Sequence, residues 1–285
     1  MSRPGKDDIT PARAPSPVVL LTGATGGLGT AVAAQLARQG CRVGLCARNA
    51  SALDGLAQEL EEAGAQVLPL PADATSPQDA AAAVERLVKH FGRIDCLIDN
   101  AGVEGPVGPS WEVPLDAWWQ TMHTNVMSTV ATVHAVMACF VRQHSGRIIS
   151  ISSEAGRHRW PSLSAYSVSK AAGIKFIENL SHEARAHGVT ALSVHPGIVT
   201  AGLTTTALHE QPPSVWHARR TQWLQEQLDQ GKGVEAERAA RAVVAVALGA
   251  ADHRSGQFLT LDDIPDTPHP GPRLPAGPGS TRTQT

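Results

Sequence analysis

The chain has 285 residues, of which 42% are hydrophobic and 18% are charged, with a formal net charge of −2 and an isoelectric point near 6.6. This length suits one large domain or two small ones, and the composition is ordinary for a globular protein with a sizeable core. The charge gives no general attraction to nucleic acid or to an anionic membrane, so neither is an expected partner.

The amino terminus, the cysteines and the histidines indicate the cellular setting. The first residues, MSRPGKDDITPARAPSP, lack the apolar core of a signal peptide, and no apolar run approaches the roughly 20 residues that cross a bilayer. The four cysteines form no CxxC pair and lie in apolar segments, which is typical of buried thiols in a reducing compartment. The histidines form no HExxH motif or His/Cys cluster. We therefore expect a cytoplasmic protein without a metal site.

Both ends of the chain differ in composition from its middle. Residues 1–16 and 265–285 are rich in Pro, Gly and Ser and offer almost nothing to bury, so both are predicted to be disordered tails. Residues 17–264 show no break in composition, which favours a single domain.

Between the tails, short β-branched or apolar runs alternate with longer amphipathic segments that are rich in alanine. The runs predicted as strands are VVLLTG, RVGLCAR, QVLPLPAD, IDCLIDNAG, GRIISISS, TALSVHPG and QFLTL. The segments predicted as helices are GTAVAAQLARQG, SALDGLAQELEEAG, SPQDAAAAVERLVKHFG, LDAWWQTMHTNVMSTVATVHAVMACFVRQ, SAYSVSKAAGIKFIENLSHEARAHG and EAERAARAVVAVALG. Such alternation is typical of a parallel sheet with helices on both faces. The sequence therefore predicts an α/β, doubly wound Rossmann fold with about seven parallel strands.

The first predicted strand leads into the octet TGATGGLG, whose glycines fit two spacings. Gly23, Gly26 and Gly29 form GxxGxxG, whereas Gly23, Gly27 and Gly29 form GxxxGxG. In either pattern, the strand, glycine turn and helix place backbone N–H groups where a dinucleotide pyrophosphate binds. The turn alone is a weak signal, because tight strand–helix turns also use glycine for structural reasons.

The end of the second predicted strand indicates which dinucleotide binds. NAD-specific folds place Asp or Glu there to bond the ribose 2′-hydroxyl, but this sequence reads GLCARNAS, without a carboxylate. The guanidinium of Arg48, with Asn49 as a helper, suits charge-assisted bonds to a 2′-phosphate. The alternative is a solvated surface arginine. We therefore expect NADP(H), with NAD less favoured.

Candidate catalytic residues follow the fifth predicted strand. Tyr166 is the chain's single tyrosine, and Lys170 lies one helical turn later in SAYSVSKAAG, so both side chains share one helix face. Ser153 ends the strand in RIISISSEAG, at the sheet edge where doubly wound folds hold ligands. An ammonium about 4 Å from a phenol stabilises the phenolate by about 4 kcal/mol at an effective dielectric near 20, which would lower the pKa of Tyr166 into the neutral range. Tyr166 is then a general acid/base and Ser153 a donor to the reacting oxygen.

Together these features resemble the short-chain dehydrogenase/reductase family over roughly residues 17–262. TGATGGLG resembles the family's TGxxxGxG, HPGIVTAG its PG turn, and IDNAG its NNAG segment, with Asp99 in place of the first Asn. Ser153 precedes Tyr166 by thirteen residues, the separation usual in the compact branch. The longer branch, which modifies sugar nucleotides, uses GxxGxxG and carries more chain after its Tyr-Lys pair. The resemblance thus favours GxxxGxG, with Gly26 as a turn residue.

The resemblance also implies residue roles. Asn125 would join Ser153, Tyr166 and Lys170 in the catalytic set by holding a water in the proton relay to the lysine. Asp73 matches the acidic position near the adenine, and the PG turn would contact the nicotinamide carboxamide. The full set of expected cofactor-binding residues is Thr22, Gly23, Thr25, Gly27, Leu28, Gly29, Arg48, Asn49, Asp73, Ala74, Asn100, Ala101, Gly102, Tyr166, Lys170, Pro196, Gly197, Ile198 and Thr200.

The substrate pocket is expected between residues 157–164 and a lid at about 201–233. One interpretation is an amphipathic lid over an apolar or aromatic ketone, and the other is a surface helix whose tryptophans pack on the body or on a sister subunit. The side chains that support these interpretations are Trp216, His217, Arg219, Arg220 and Trp223. His158, Arg159 and Arg219 are candidate contacts for a carboxylate or phosphate, although long cationic side chains are more often solvated.

Three functions remain open. The favoured one is NADPH-dependent reduction of a small-molecule ketone, or oxidation of the matching secondary alcohol, by hydride transfer. The alternatives are an epimerase, dehydratase or imine reductase on the same scaffold, and a nicotinamide-binding regulatory protein. The resemblance also implies a homodimer or homotetramer that assembles through residues about 115–142 and 165–187.

Overall fold

The computed structural model describes residues 16–209 and 214–265, so the tails predicted to be disordered lie outside the described residues except for Ser16 and Pro265. The strands are β1 Val18–Thr22, β2 Arg42–Ala47, β3 Gln66–Pro71, β4 Cys96–Asp99, β5 Gly146–Ile151, β6 Val189–Val194, β7 Ile198–Val199, β8 Gly233–Val234 and β9 Phe258–Leu259. The α-helices are α1 Gly27–Arg38, α2 Ala50–Glu62, α3 Pro77–Phe91, α4 Leu115–Met122, α5 Ser128–Gln143, α6 Ser164–Glu183, α7 Leu203–His209, α8 Val215–Asp229 and α9 Ala236–Ala247. A π-helical turn, His123–Met127, joins α4 to α5.

Seven strands form one parallel sheet in the order β3-β2-β1-β4-β5-β6-β9. They correspond to the seven predicted runs, so the predicted doubly wound α/β fold is confirmed. A separate pair of short parallel strands, β7 and β8, was not predicted, because two residues are too few to show a strand period.

The sheet separates two hydrophobic cores because its side chains alternate between the two faces. Val19 and Leu21 of β1 belong to the core formed with α1, α2 and α9. Val18 and Leu20 of the same strand belong to the core formed with α3, α5 and α6. Helices therefore cover both faces, which explains why the strands read as continuous apolar runs.

The strand order places a crevice at the carboxyl end of β1. β2 and β3 lie on one side of β1, and β4, β5 and β6 lie on the other. The connections after β1 and β4 therefore leave the sheet in opposite directions. Doubly wound folds bind ligands at such a reversal of strand order.

Leu115–Gln143 form one continuous helical stretch, because the π-helical turn continues α4 into α5. By length and composition alone this stretch is able to cross a membrane, which differs from the expectation based on uninterrupted apolar runs. Half of its most apolar window is buried within the fold, where Val136 and Phe140 belong to the core. One such helix is weak evidence for a membrane, since core helices of globular proteins have the same length and composition.

Candidate active site

The candidate residues gather along one edge of the sheet. They follow the carboxyl ends of β1 to β6 or lie on the π-helical turn and the first turns of α6. The loop after β4 touches the catalytic group directly: a Cβ atom on Gly102 would lie 3.3 Å from Asn125 Oδ1 and 3.7 Å from Lys170 Nζ. Residues separated by more than 60 positions in sequence thus share one site.

In the glycine loop between β1 and α1, residues 23–29, steric contacts require glycine at the three positions of the GxxxGxG spacing. Gly23 has φ +62°, and a Cβ atom on it would lie 2.9 Å from Asn100 Nδ2. A Cβ on Gly27 would collide with the backbone nitrogen of Gly202, and one on Gly29 with the carbonyl oxygen of Gly23. Gly26 is different, because its Cβ would meet nothing closer than 3.4 Å. The structure therefore requires glycine at three positions and tolerates a side chain at Gly26.

The first turn of α1 is suited to bind an anion. The helix begins at Gly27, and no side chain of the described residues caps its amino end. Its first N–H groups therefore remain available at the positive end of the helix dipole. Since glycine also keeps side chains away from this surface, the cradle fits a pyrophosphate.

Thr22 and Asn100 fasten the ends of β1 and β4 together. The Thr22 hydroxyl accepts the N–H groups of Asn100 at 3.0 Å and Ala101 at 3.1 Å. Asn100 Nδ2 donates to the carbonyl oxygens of Thr22 and Gly23 at 3.2 and 3.0 Å. These predicted cofactor residues therefore also shape the floor of the crevice.

The end of β2 brings charged groups to the outer part of the crevice. Arg48 is exposed, and its charge lies near Asp73. Hydrogen bonds from Thr75 lower the pKa of Asp73 most, and the positive charges of Arg48 and His123 lower it further. Asn49 Oδ1 instead accepts the N–H of Ala52 at 3.1 Å and caps α2. His123 was missed in the sequence because it approaches Asp73 from a distant helix.

Asn125 sits in the π-helical turn and is 5% exposed. Its side-chain oxygen accepts the Val103 N–H at 2.8 Å, while its amide donates to the Val103 carbonyl at 2.8 Å and to Ser169 Oγ at 2.9 Å. The Ser169 hydroxyl donates to the carbonyl of Tyr166 at 2.7 Å. Asn125 therefore holds the loop after β4 against α6.

The structure brings Ser153, Tyr166 and Lys170 together. A hydrogen bond with Ser153 acts on the Tyr166 phenol, and Lys170 Nζ lies 5.7 Å from the centroid of the phenol ring. Ser153 reaches this position because it is the second residue after β5, at the sheet edge where α6 begins. A proton donor and a hydroxyl donor thus point to the same place, as the addition of hydride to a carbonyl requires.

The expected low pKa of Tyr166 is wrong for this structure. Burial raises the pKa of Tyr166 above its ordinary value, and the Ser153 hydrogen bond offsets only part of that increase. The reason is that Lys170 Nζ donates to the Ile151 carbonyl at 2.8 Å, so its ammonium is directed to the end of β5 rather than to the phenol oxygen. Burial also lowers the pKa of Lys170, and the charge of Asp99 raises it.

The PG turn is held by the small sheet. Gly197 has φ +80°, and a Cβ on it would lie 2.5 Å from Val234 Cγ2. Thr200 donates both its N–H and its hydroxyl to the Val234 carbonyl, at 2.9 and 3.3 Å. β7 therefore aligns Ile198 beside the crevice, and the following residues, 201 and 202, pack over the glycine loop.

The lid consists of α7 and α8, with residues 210–213 outside the described part. Trp223 of α8 packs edge-to-face on Trp160, with ring centroids 5.0 Å apart. Arg220 forms a partly buried ion pair with Glu104, which lies in the loop after β4. α8 thus contacts the loop after β5 through Trp223 and the loop after β4 through Arg220. A tryptophan that packs on the body is part of the surface-helix interpretation, and a helix beside these two loops is in the place expected for a lid.

Two of the three predicted anion contacts have partners within the chain. His158 lies 2.8 Å from Glu154, and the Arg219 guanidinium lies 4.8 Å from the centroid of Trp216. His158 reaches Glu154 because residues 154–158 form one tight turn. Arg219 reaches Trp216 because the two residues are one helical turn apart on α8.

Comparison with known proteins identifies the family. Residues 17–212 match the family model described as short chain dehydrogenase. Dehydrogenase/reductase SDR family member 7B of Bos taurus is 33% identical over 197 residues, which are 67% of this chain and 60% of that protein. The chain thus spans about 60% of the length of that relative.

Two solved structures extend the similarity to the fold. NAD+-bound xylitol dehydrogenase has 25% identity and a TM-score of 0.78, over 86% of this chain and 96% of that chain. A variant of actinorhodin polyketide ketoreductase with NADPH has 28% identity and a TM-score of 0.78, over 86% and 95%. With the family model matching more than half of its residues, this chain belongs to the short chain dehydrogenase family.

Proposed function

We propose that the protein reduces a ketone to a secondary alcohol with NADPH. The observation that carries this proposal is that Ser153, which follows β5, lies together with Tyr166 and Lys170 of α6. Burial raises the pKa of Tyr166. The phenol therefore retains the proton that it would donate in carbonyl reduction.

The residues divide the reaction between them. When bound, the nicotinamide supplies a hydride to the carbonyl carbon. Ser153 holds the carbonyl oxygen by a hydrogen bond, and Tyr166 donates its proton to that oxygen as the C–O bond loses its double-bond character. The Lys170 ammonium, although it donates to the Ile151 carbonyl, lies 5.7 Å from the centroid of the Tyr166 ring and would supply positive charge near the phenolate that remains. Asn125 keeps the helix that carries both residues in place. A proton from solvent then restores Tyr166.

The preference for NADPH is proposed from Arg48, which is exposed at the end of β2 where no carboxylate would repel a 2′-phosphate. Charge-assisted hydrogen bonds contribute about 1.5–3 kcal/mol each. Arg48→Ala is therefore expected to raise the Kd for NADPH about tenfold or more and to leave the Kd for NADH within about twofold. Titration of each nucleotide against tryptophan fluorescence measures both constants.

Arg38→Ala provides a matched control, because Arg38 is another exposed arginine and lies at the far end of α1. It is expected to change neither constant. Equal binding of the two nucleotides by the wild type, or an equal loss for both in Arg48→Ala, would contradict the proposed selectivity. Failure of either nucleotide to bind would contradict the enzyme proposal itself.

The proposed substrate has an apolar or aromatic portion beside its carbonyl group. The support is the Trp160–Trp223 pair, which places aromatic surface between the lid and the loop after β5. The polyketide ketoreductase that resembles this chain adds support for a ketone. A panel of ketones that share one reactive group but differ in ring size, followed by NADPH absorbance, tests this class. Equal rates for compact polar ketones would contradict it.

We also propose a cytoplasmic homodimer or homotetramer. The support for assembly is that Trp119 of α4 and Val168 of α6 are large apolar side chains exposed to 59% and 45% on the two expected helices. The support for a reducing compartment is that all four cysteines are free and buried. Light scattering measures the mass, and cell fractionation measures the location. A monomer or a membrane-bound fraction would contradict the respective proposal.

A further inference from the structure

Two serines lie between Tyr166 and Lys170 on the first turns of α6, and each donates its hydroxyl hydrogen to a backbone carbonyl. Ser167 Oγ donates to the Ala155 carbonyl at 2.6 Å, in the segment that follows β5. Ser169 Oγ donates to the Tyr166 carbonyl at 2.7 Å, within α6 itself. Serine forms helices less readily than alanine because its hydroxyl competes for backbone groups, so helix formation alone does not explain these two residues.

Ser167 acts on the segment that carries Ser153. Ala155, whose carbonyl accepts from Ser167, donates its own N–H to Ser153 Oγ at 3.2 Å. Since that N–H occupies an acceptor position of the Ser153 hydroxyl, the hydroxyl keeps its hydrogen to donate. The segment also packs closely on α6, because a Cβ atom on Gly156 would lie 2.8 Å from the carbonyl carbon of Lys170. Ser167 thus fixes the place of Ser153 relative to the helix.

Ser169 acts on the π-helical turn that carries Asn125. It is 2% exposed, and its Oγ accepts from Asn125 Nδ2 at 2.9 Å while it donates to the Tyr166 carbonyl. The Asn125 amide also donates to the Val103 carbonyl, and its oxygen accepts the Val103 N–H. The hydrogen bonds therefore form a buried chain from Asn125 through Ser169 to the peptide group of Tyr166. Such chains hold their members rigidly when every donor has an acceptor.

We propose that Ser167 and Ser169 are positioning residues that fix Ser153 and Asn125, respectively, relative to the reactive side chains of α6. Each serine acts through another residue. Addition of hydride to a carbonyl requires the proton donor and Ser153 to meet at one oxygen, and a displacement of about 1 Å can lower a rate by about 10²-fold. The catalytic consequence rests on the proposed function, whereas the two hydrogen-bond links do not.

Amide hydrogen exchange of the full chain tests both links and needs neither nucleotide nor substrate. Ser169→Ala removes an acceptor of the Asn125 amide. The Val103 N–H, which donates to Asn125 Oδ1, is therefore expected to exchange about tenfold faster. Ser167→Ala releases the Ala155 carbonyl, so the Ala155 N–H is expected to exchange about tenfold faster. Each variant is expected to leave the other amide unchanged.

In ketone reduction, each variant is expected to lower kcat by about tenfold while KM and the Kd for NADPH stay within about threefold of the wild type. Ser167→Thr retains the hydroxyl and is expected to keep kcat within about threefold of the wild type. A loss confined to kcat and restored by the hydroxyl distinguishes positioning from a general weakening of the fold. If Ser169→Ala fails to fold by circular dichroism, Ser169→Cys keeps a similar size with weaker hydrogen bonds, and faster Val103 exchange is again expected.

Ser181→Ala is the matched control. Ser181 lies near the other end of α6 and donates to the Glu178 carbonyl at 2.7 Å, three residues earlier, as Ser169 does to the Tyr166 carbonyl. Its substitution removes the same kind of hydrogen bond from the same helix. The exchange of the two reporter amides, kcat and KM are expected to stay unchanged.

Unchanged exchange at Val103 and Ala155 in the folded variants would overturn the proposal. A normal kcat despite faster exchange would also overturn it, because the links would then exist without positioning the reactive groups. Equal effects of Ser181→Ala would overturn it by showing a general response of α6. Absence of ketone reduction in the wild type would contradict the proposed function, and the exchange rates would still decide whether the two links hold.

Discussion

Tyr166→Phe is expected to lower kcat for carbonyl reduction by about 10²–10⁴-fold, because it removes the proton donor and leaves the ring in place. The Kd for NADPH is expected to change less than about threefold, since the backbone and the hydrogen bond from Ser169 to the Tyr166 carbonyl remain. Steady-state kinetics and tryptophan fluorescence measure the two effects. This separation distinguishes a chemical role from a role in nucleotide binding.

Two other outcomes would have clear meanings. Retention of kcat in Tyr166→Phe would show that another group donates the proton. Nucleotide binding by the wild type without turnover of any carbonyl would favour the nicotinamide-binding regulatory protein, for which Tyr166→Phe would leave biological function intact. Ser153→Ala is a useful companion variant, because it removes a hydrogen-bond donor to the reacting oxygen and leaves the proton donor, so its loss of kcat is expected to be smaller.

Gly29→Ala is expected to weaken NADPH binding by tenfold or more and to lower thermal stability. The added Cβ would collide with the carbonyl oxygen of Gly23, so the loop between β1 and α1 would have to move. Gly26→Ala is the matched control within the same loop, because Gly26 has φ −79° and its Cβ would meet nothing within 3.4 Å. Its Kd for NADPH is expected to stay within about threefold of the wild type.

This pair of variants tests the two glycine spacings directly. Nucleotide titration measures the affinity, and thermal unfolding separates a local effect on the loop from a general loss of stability. If Gly26→Ala weakened binding as much as Gly29→Ala, the GxxGxxG interpretation would be correct. Normal binding by Gly29→Ala would show that the loop has more freedom than the contact with Gly23 indicates.

The fold and the members of the site were accessible from the sequence because their signals are local. Strand–helix alternation sets a parallel sheet, and each loop that follows a strand must then reach the same edge. The Tyr166–Lys170 spacing depends only on helix geometry. The sequence also narrowed the glycine loop to two spacings, GxxGxxG and GxxxGxG. The contacts that decide between these spacings appear only in the structure.

The tertiary structure decided the properties that depend on distant neighbours. The pKa of Tyr166 was mispredicted because the direction of the Lys170 ammonium is set by the Ile151 carbonyl, which the spacing of Tyr and Lys does not reveal. The contact between Arg220 and Glu104 joins residues 116 positions apart. The sequence by itself thus determined the architecture and the list of reactive groups, since backbone periodicity is a local property. The charge state and orientation of those groups were decided only by folding, because burial and electrostatic interactions depend on distances in space.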